Sequence, residues 1–496
     1  MKEHSAWYSS DAGTIANFYS SELNTAFIDG PFRISKENFW GRQVKNQGEV
    51  FNHVPVASDI ADVSATLLFS ESPIVRIGEA KTQSENDAQL EFDKLLDRTN
   101  FFDKILEAAE IASALGGVFI KVAWDAELTN DPIAVVEQPD SAIPEFRFGM
   151  LCRVMFWKII DAPATPDAAK SKILRLIETY EPGHIRSVLY SGSDSRLGHE
   201  IDLKSVDSTK DIIPDIEIPN NLLLAVYIPN MRPNKLERTS YLGRSDLLGI
   251  EGLMDSLDEA YSLWSRELML AQAKILIPES FMRNNSNGNS RFNPDAMVYV
   301  KLDIDPVSAE GGMITPQQFD IRAEDFEKTT LNLLERIVVS AGYSPQTFGL
   351  NISGRAESGT ALTLRERKTF TTKNKKEKYW ETPLKHIMLC LQAVSNDFLQ
   401  GKYDPNLDIS LSFSDSITNN IGEMAASVAK LHEAVSSSIY TRVKILHQEW
   451  TEAQIIAEVK LIKEEHAVGA AMQNPDQFEI DDDGAAAEED EGEENA

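Results

Sequence analysis

The sequence predicts an α+β protein, mainly helical, and three observations carry that expectation. Apolar residues recur with a helical period over long stretches of the second half. Short runs of strand-forming residues, separated by Pro, Gly, Asp and Ser clusters, occupy residues 133–230. The 496 residues are 42% hydrophobic and 25% charged, a globular composition on a chain too long for one ordinary compact domain.

Taken in order, the first hundred residues mix helix and loop signals. Asn52–Val56 reads as extended, because the residue before Pro55 avoids the helical region. Ser58 and Asp59 suit an N-cap for a helix over Ile60–Phe69. Leu95–Leu115 reads as one helix, stopped by Gly116-Gly117 and followed by the strand-like run Val118–Val122. Val154–Ile160, Leu174–Tyr180, Arg186–Tyr190 and Leu222–Ile228 are short strand candidates whose spacing predicts antiparallel meanders.

From Asp246 to Ile277 the chain reads as one long helix. Leu247, Ile250, Met254, Leu257, Tyr261, Trp264, Leu268, Ala271 and Ile275 step alternately by three and four, a heptad-like stripe. Such a helix spans about 45 Å at 1.5 Å per residue, and Pro278 ends it. The stripe fits either a monomer core or packing between subunits. Short strands and turns follow over 279–320, then a helix over Ala323–Ala341 stopped by Gly342 and Pro345. A loop containing Gly and Ser, Gly349–Gly359, leads into a long helical region over Thr360–Leu399, in which Pro383 starts a new helix or kinks this one. Asp408–Phe413 alternates as a strand and Ile417–Glu465 reads as helical.

Charge bounds the function classes. The formal net charge is −30. From Asp476 to Ala496 there are eleven acidic and no basic residues; they account for −11 and leave −19 on the rest. A low-complexity acidic tail is expected to be disordered. General phosphate binding by the whole surface is not expected from so acidic a chain. Against that background, residues 365–378 carry seven basic residues, Arg365, Arg367, Lys368, Lys373, Lys375, Lys376 and Lys378, and two acidic ones. They read equally well as a solvated helix face or as a patch for a phosphate backbone.

No apolar run is long enough to cross a bilayer, and the N-terminus lacks the pattern of a secretory signal. The two cysteines, Cys152 and Cys390, lie in apolar stretches and are expected to be buried and reduced. There is no phosphate-binding loop of the Walker type and no dinucleotide-binding glycine fingerprint. His432-Glu433 begins like a zinc-protease helix, but Ser436 stands where the second ligand would be. Asp303 and Asp305 read more readily as turn-edge carboxylates beside Pro306 than as a metal pair, and no histidine lies near Ser353 to act as its base. No catalytic residue, metal site or cofactor is expected.

Several segments resemble a known family. These are His53-Val54-Pro55-Val56 with Leu67-Leu68-Phe69-Ser70-Glu71-Ser72-Pro73, Ala114-Leu115-Gly116-Gly117 leading to Trp124-Asp125, and Glu357-Ser358-Gly359-Thr360-Ala361-Leu362 before the basic helix. Ser437–Glu465, with Trp450-Thr451-Glu452, also fits. In order and spacing they resemble the portal proteins of tailed phages, especially siphophages infecting actinobacteria. The resemblance implies a portal fold of wing, stem, clip and crown, assembled as a ring with a central channel. It maps 1–245 to the wing, 246–277 to a stem helix, 278–322 to the clip and 323–346 to a second stem helix. It maps 347–359 to a tunnel loop, 360–416 to a kinked helix and returning wing strand, 417–466 to a helical crown, and 467–496 to an acidic tail.

The same resemblance implies a homo-oligomer of twelve subunits at the capsid vertex, assembled in the host cytoplasm, with double-stranded DNA passing through it without sequence specificity. Its implied partners are the terminase large subunit, the head-tail connector, and the major capsid and scaffold proteins. Ile250, Met254, Leu257, Tyr261, Trp264 and Leu268 would pack subunits in the stem. Asn351, Ser353, Arg355, Arg365, Lys368, Lys373, Lys375 and Lys376 would face the DNA channel. Two other readings compete: another virion connector or minor capsid protein, and a metal-dependent nuclease using Asp303, Asp305, Asp320 and Asp325.

Overall fold

A computed structural model describes residues 1–25, 39–42, 51–78, 83–125, 127–160, 173–271, 274–278, 299–302, 315–317, 321–350, 359–399, 401, 403–404, 407–413, 421–447, 450 and 452–473. The chain divides into two units, Met1–Ser414 and Asp415–Ala496.

The first unit opens with helices α1 (Lys2–Tyr8), α2 (Ala12–Thr25), α3 (Phe39–Arg42) and α4 (Val56–Phe69). Strand β1 (Ile74–Ile77) and helices α5 (Gln83–Arg98) and α6 (Phe101–Leu115) follow. The β-rich stretch comprises β2 (Gly117–Ala123), β3 (Ile133–Glu137), β4 (Ala142–Arg147), β5 (Met150–Ile160), β6 (Ile173–Glu181), β7 (His184–Ser193), β8 (Arg196–Ile201), β9 (Asp215–Glu217) and β10 (Ala225–Pro229). Then come α7 (Glu251–Leu270), β11 (Lys274–Pro278), β12 (Tyr299–Leu302), β13 (Thr315–Gln317), α8 (Ala323–Ala341), α9 (Gly359–Phe398) and β14 (Ile409–Ser412). The second unit holds α10 (Ile421–Glu433), α11 (Ile439–Leu446) and α12 (Glu452–Gln473).

The predicted antiparallel meander is present for Val154–Ile160, Leu174–Tyr180 and Arg186–Tyr190, whereas Leu222–Ile228 contributes β10 to a different sheet. Strands β4 to β8 pair in sequence order with β9 added to β7, and the register sets Val154 opposite Tyr180 and Leu176 opposite Leu189. Side chains alternate across the pleat, so Val154 and Phe156 are buried while Met155 and Trp157 take the other face. A second antiparallel sheet runs β10-β2-β3. Its central strand is buried almost throughout, because the sheet joins one apolar core with α4, α6 and α9. Strand β14 returns to pair with β1.

Gly116 ends α6 in the left-handed region at φ 95°, where a side chain would meet the Ser245 backbone nitrogen at 2.9 Å. A Cβ on Gly117 would lie 2.3 Å from the Tyr227 hydroxyl oxygen. These two positions require glycine for different reasons, one conformational and one steric.

Several expectations are corrected. Leu95–Leu115 is two helices, broken at Asn100, which sits at φ 49°. Helix α4 starts at Val56, ahead of Ser58 and Asp59, with Pro55 in the N-cap position. The long helix predicted over 246–277 is shorter: α7 ends at Leu270, and Lys274–Pro278 is a strand, parallel to β12 and antiparallel to β13. The β-branched Ile275 and Ile277 suit that sheet better than a solvated helix end. Helix α9 contains Pro383, so no new helix starts there. The described residues of 417–465 form three helices, the last reaching Gln473. Cys390 is buried, and burial pushes its thiol up to about 12; Cys152 is only half-buried and donates to the Glu145 carbonyl.

Candidate functional site

The basic segment forms the first half of α9, and the structure divides it. At 3.6 residues per turn, Arg367, Lys378, Lys375 and Lys368 fall within an arc of about 100°, and all four are exposed. Arg365 is exposed near the helix start. Thr369, Thr372, Lys373, Lys376 and Trp380 occupy the opposite face and are buried.

That buried face, together with Lys368 from the neighbouring exposed arc, closes the end of α8. Gly342 takes φ 114°, and its N–H and that of Tyr343 return to Val338. Lys368 Nζ donates to the Val339 carbonyl, and burial lowers its pKa. Thr372 donates to the Gly342 carbonyl at 2.6 Å, and Thr369 Oγ1 accepts from the Ser344 N–H at 2.9 Å. Side chains of α9 thereby reach the Val339 and Gly342 carbonyls and the Ser344 N–H at the end of α8. The chain entering residues 347–359 is fixed at its root to the helix that follows.

Deeper on the same face lies a buried ion pair. Lys376 Nζ bonds to Asp246 Oδ2, to Ser64 Oγ at 2.6 Å and to Tyr343 Oη at 3.0 Å. Asp246 also accepts from Ser113 Oγ at 2.7 Å, Tyr343 Oη at 2.9 Å and Asn230 Nδ2 at 2.8 Å. One charge pair therefore joins α4, α6, the segment after β10, the approach to α7, the end of α8, and α9. Burial lowers the Lys376 pKa, with Asp246 opposing the shift. Tyr343 is held well above the usual phenol value, by burial first and Asp246 second.

Lys373 and Lys376 are thus corrected as channel residues. Lys376 is 1% exposed and Lys373 4%, the latter paired with Glu377 at 3.4 Å. Their charges act inside the chain. Arg365, Lys368 and Lys375 remain on the surface, joined by Arg367 and Lys378. Asn351, Ser353 and Arg355 lie outside the described residues.

The stripe of α7 also divides. Ile250, Met254 and Leu257 are 1–2% exposed. They pack in the chain's own core with Trp7, Ile15, Trp40, Val56, Ile337 and Val338. They are corrected from subunit packing to the chain interior. Tyr261 and Trp264 are half-buried, and Trp264 stacks on Phe326 at 6.0 Å and 4°. Leu268 is 47% exposed, close to Leu263, Met269 and Leu270 at 48–52%. Late α7 meets early α8, with Glu267 bonded to the Arg322 backbone N–H at 2.9 Å, so the two helices run antiparallel.

Sequence reading missed the carboxylates that hold the N-terminal segments to α7. Asp255 accepts from the Phe39 and Trp40 N–H groups at 2.7 and 3.2 Å. Asp258 accepts from Trp40 Nε1 at 2.9 Å and the Val54 N–H at 2.9 Å, and lies 2.8 Å from His53 Nδ1. Glu251 meets His4 at 2.9 Å. The signal was present as acidic residues at positions 251, 255 and 258 beside the apolar stripe of the helix; their partners, some two hundred residues away, were not legible.

Among the described residues no cluster of His, Cys, Asp or Glu could hold a metal. Asp303, Asp305 and Asp320 lie outside the described residues, and Asp325 is exposed in the first turn of α8. Among the described residues no helix is long and apolar enough to cross a membrane.

A search of curated proteins finds no match. Among solved structures, the chain is similar to one from the neck of an empty gene transfer agent particle, at 13% identity and a TM-score of 0.39, covering 80% of this chain and 91% of that one. It is also similar to one from the virion of a native gene transfer agent particle, at 12% identity and a TM-score of 0.35, covering 86% and 97%. The family described as phage portal protein, SPP1 Gp6-like, matches residues 18–468. With a match across nearly its whole length, the chain belongs to the SPP1 Gp6-like phage portal protein family.

Proposed function

We propose that this portal protein is the subunit of a twelve-membered ring at the capsid vertex, through which double-stranded DNA enters and leaves. The family match over residues 18–468 carries the reading. In it, 1–245 is the wing, α7 and α8 form the stem, 278–322 is the clip, 347–359 is the tunnel loop, and 417–466 is the crown. The clip would meet the terminase large subunit and later the head-tail connector, and the ring would also meet the major capsid and scaffold proteins. The role is that of a conduit rather than a catalyst, with assembly in the host cytoplasm.

Two features support this reading. The outer end of the α7–α8 pair exposes Leu263, Leu268, Met269 and Leu270, apolar surface that a neighbouring subunit's stem would remove from water. The exposed cations Arg367, Lys375 and Lys378 share one face of α9 on a chain of net charge −30. A mostly repulsive wall lets DNA slide, and a few cations hold the phosphate backbone transiently.

Electron microscopy of the purified protein tests the ring directly. Top views are expected to show near-twelvefold rings with a central channel; a persistent monomer across salt and protein concentration would refute the reading. Changing Arg367, Lys375 and Lys378 together to Ala is expected to leave ring assembly intact and to lower the DNA content of assembled heads. Normally filled heads would remove the phosphate role from this face.

A further inference from the structure

The hairpin joining β4 and β5 turns at Phe148 and Gly149, both at positive φ, 50° and 82°. Two-residue turns with both φ values positive favour Asn, Asp or Gly at the first position, because a Cβ there crowds the backbone. Here that position carries an aromatic ring, and Phe148 is 101% exposed. Met150 beside it is 75% exposed. The tip thus spends conformational strain to present a large apolar side chain to water, and no packing by the chain's described residues offsets it. An observed outlier of this kind points to a role in contact.

The outer face of the same sheet carries a matching hollow. Ile143, Met155, Trp157, Ile177 and Leu197, with Arg175, line an open cavity of about 230 Å³. Ile143 is 55% and Leu197 43% exposed. Trp157, one of the lining residues, donates from Nε1 to the Asp140 carbonyl at 3.2 Å. An apolar cavity of about 150 Å³ accommodates benzene, so this one is large enough for a phenylalanine ring.

The hairpin that carries the knob also supplies Ile143, Met155 and Trp157 of the hollow, while β6 and β8 supply Arg175, Ile177 and Leu197. Met155 follows Phe148 by seven residues along β5, roughly 23 Å at 3.3 Å per residue. A chain's own tip therefore cannot reach its own hollow, whereas a second copy's can. The two surfaces are different patches of the same molecule. A contact between them is heterologous, the type that repeats head to tail around a closed ring.

We infer that Phe148 of one subunit seats in the hollow formed by Ile143, Met155, Trp157, Ile177 and Leu197 of the next copy. The inference rests on the ring assembly proposed above and adds the residues that latch neighbouring subunits outside the stem. The test replaces Phe148 with p-benzoylphenylalanine, mixes isotopically light and heavy copies, assembles them and irradiates. Crosslinked light–heavy peptides joining position 148 to Met155–Trp157 or Ile177 are expected. Intact rings whose crosslinks fall elsewhere on the chain, on another virion protein, or nowhere would overturn this contact while leaving the ring standing. Absence of rings from the unaltered protein would instead overturn the ring, and this contact with it. Phe148→Ser, at a fully exposed position that packs against none of the described residues, is expected to raise the concentration for half-assembly by about tenfold or more. An unchanged assembly curve counts against the latch.

Discussion

Replacing Lys376 with methionine keeps a similar unbranched apolar stem and removes the charge together with the N–H donors to Asp246, Ser64 and Tyr343. Asp246, whose side chain is 3% exposed, would then be a buried carboxylate with neutral donors alone: Ser113, Tyr343 and Asn230 at 2.7–2.9 Å. Removing one partner of a buried pair costs about 3–5 kcal/mol, because the other charge is left uncompensated. The three remaining hydrogen bonds place Asp246 near the lower end of that range. With an unfolding entropy of about 2.1 cal/mol/K per residue, that range corresponds to a drop in melting temperature of about 3–6 °C for a unit the size of Met1–Ser414. Scanning calorimetry of the full-length protein at neutral pH reads the shift. The double variant Lys376→Met with Asp246→Asn removes both charges and is expected to recover most of the loss. A single variant within a degree of the parent would refute the reasoning. So would a double variant less stable than the sum of the two single changes, since the pair would then not be what costs energy when broken.

Three further expectations follow from the same structure. Gly117→Ala would drive a methyl group into Tyr227, whose ring is packed against Phe119 and Phe146; a loss of about 1–3 kcal/mol is expected, read as a shift in the midpoint of chemical denaturation at unchanged slope. Asp258→Ala would leave the Trp40 indole N–H, the Val54 N–H and the His53 ring without their acceptor; at about 1–3 kcal/mol for each unsatisfied donor, at least ~3 kcal/mol should be lost, with tryptophan emission shifting to the red. Burial pushes Tyr227 up to about 12 and holds Tyr180 and Tyr19 higher still. The unfolded chain releases phenolic protons near pH 10 while the fold retains them, so their stabilisation is complete below pH 10 and falls as pH rises above it, the Tyr227 part being lost through about 12 and the Tyr180 and Tyr19 parts at still higher pH. Melting curves across pH 9–12, with phenolate absorbance followed in parallel, test the sign; stability rising over that window would contradict it.

Local pattern carried much of the fold. Helix α8 matches its expected range residue for residue, since helical period, the Gly342 stop and Pro345 agree. Strands β5 to β7 follow their β-branched runs, and their order follows from short connections. The segments from His53 to Leu362 pointed to the family later matched over 18–468. Boundaries were less legible where local signals competed: Ala271–Pro278 has the apolar spacing of a helix, but sheet pairing with 299–302 and 315–317 wins, and that pairing depends on residues distant in sequence.

For the candidate site the division is sharper. The sequence by itself determined that 365–378 is a helix with a local excess of positive charge, and that Leu247–Leu268 carries an apolar stripe. Composition and periodicity are local properties, so both could be read without a fold. Only the tertiary structure decided that Lys376 is buried against Asp246, 130 residues away, while Lys375 next to it faces water. Only it decided that Ile250, Met254 and Leu257 pack within the chain while Leu268 faces outward. The physical reason is the same in both cases: whether a charge or an apolar side chain is solvated or buried depends on which distant elements cover its face of the helix, and no spacing along one helix records them.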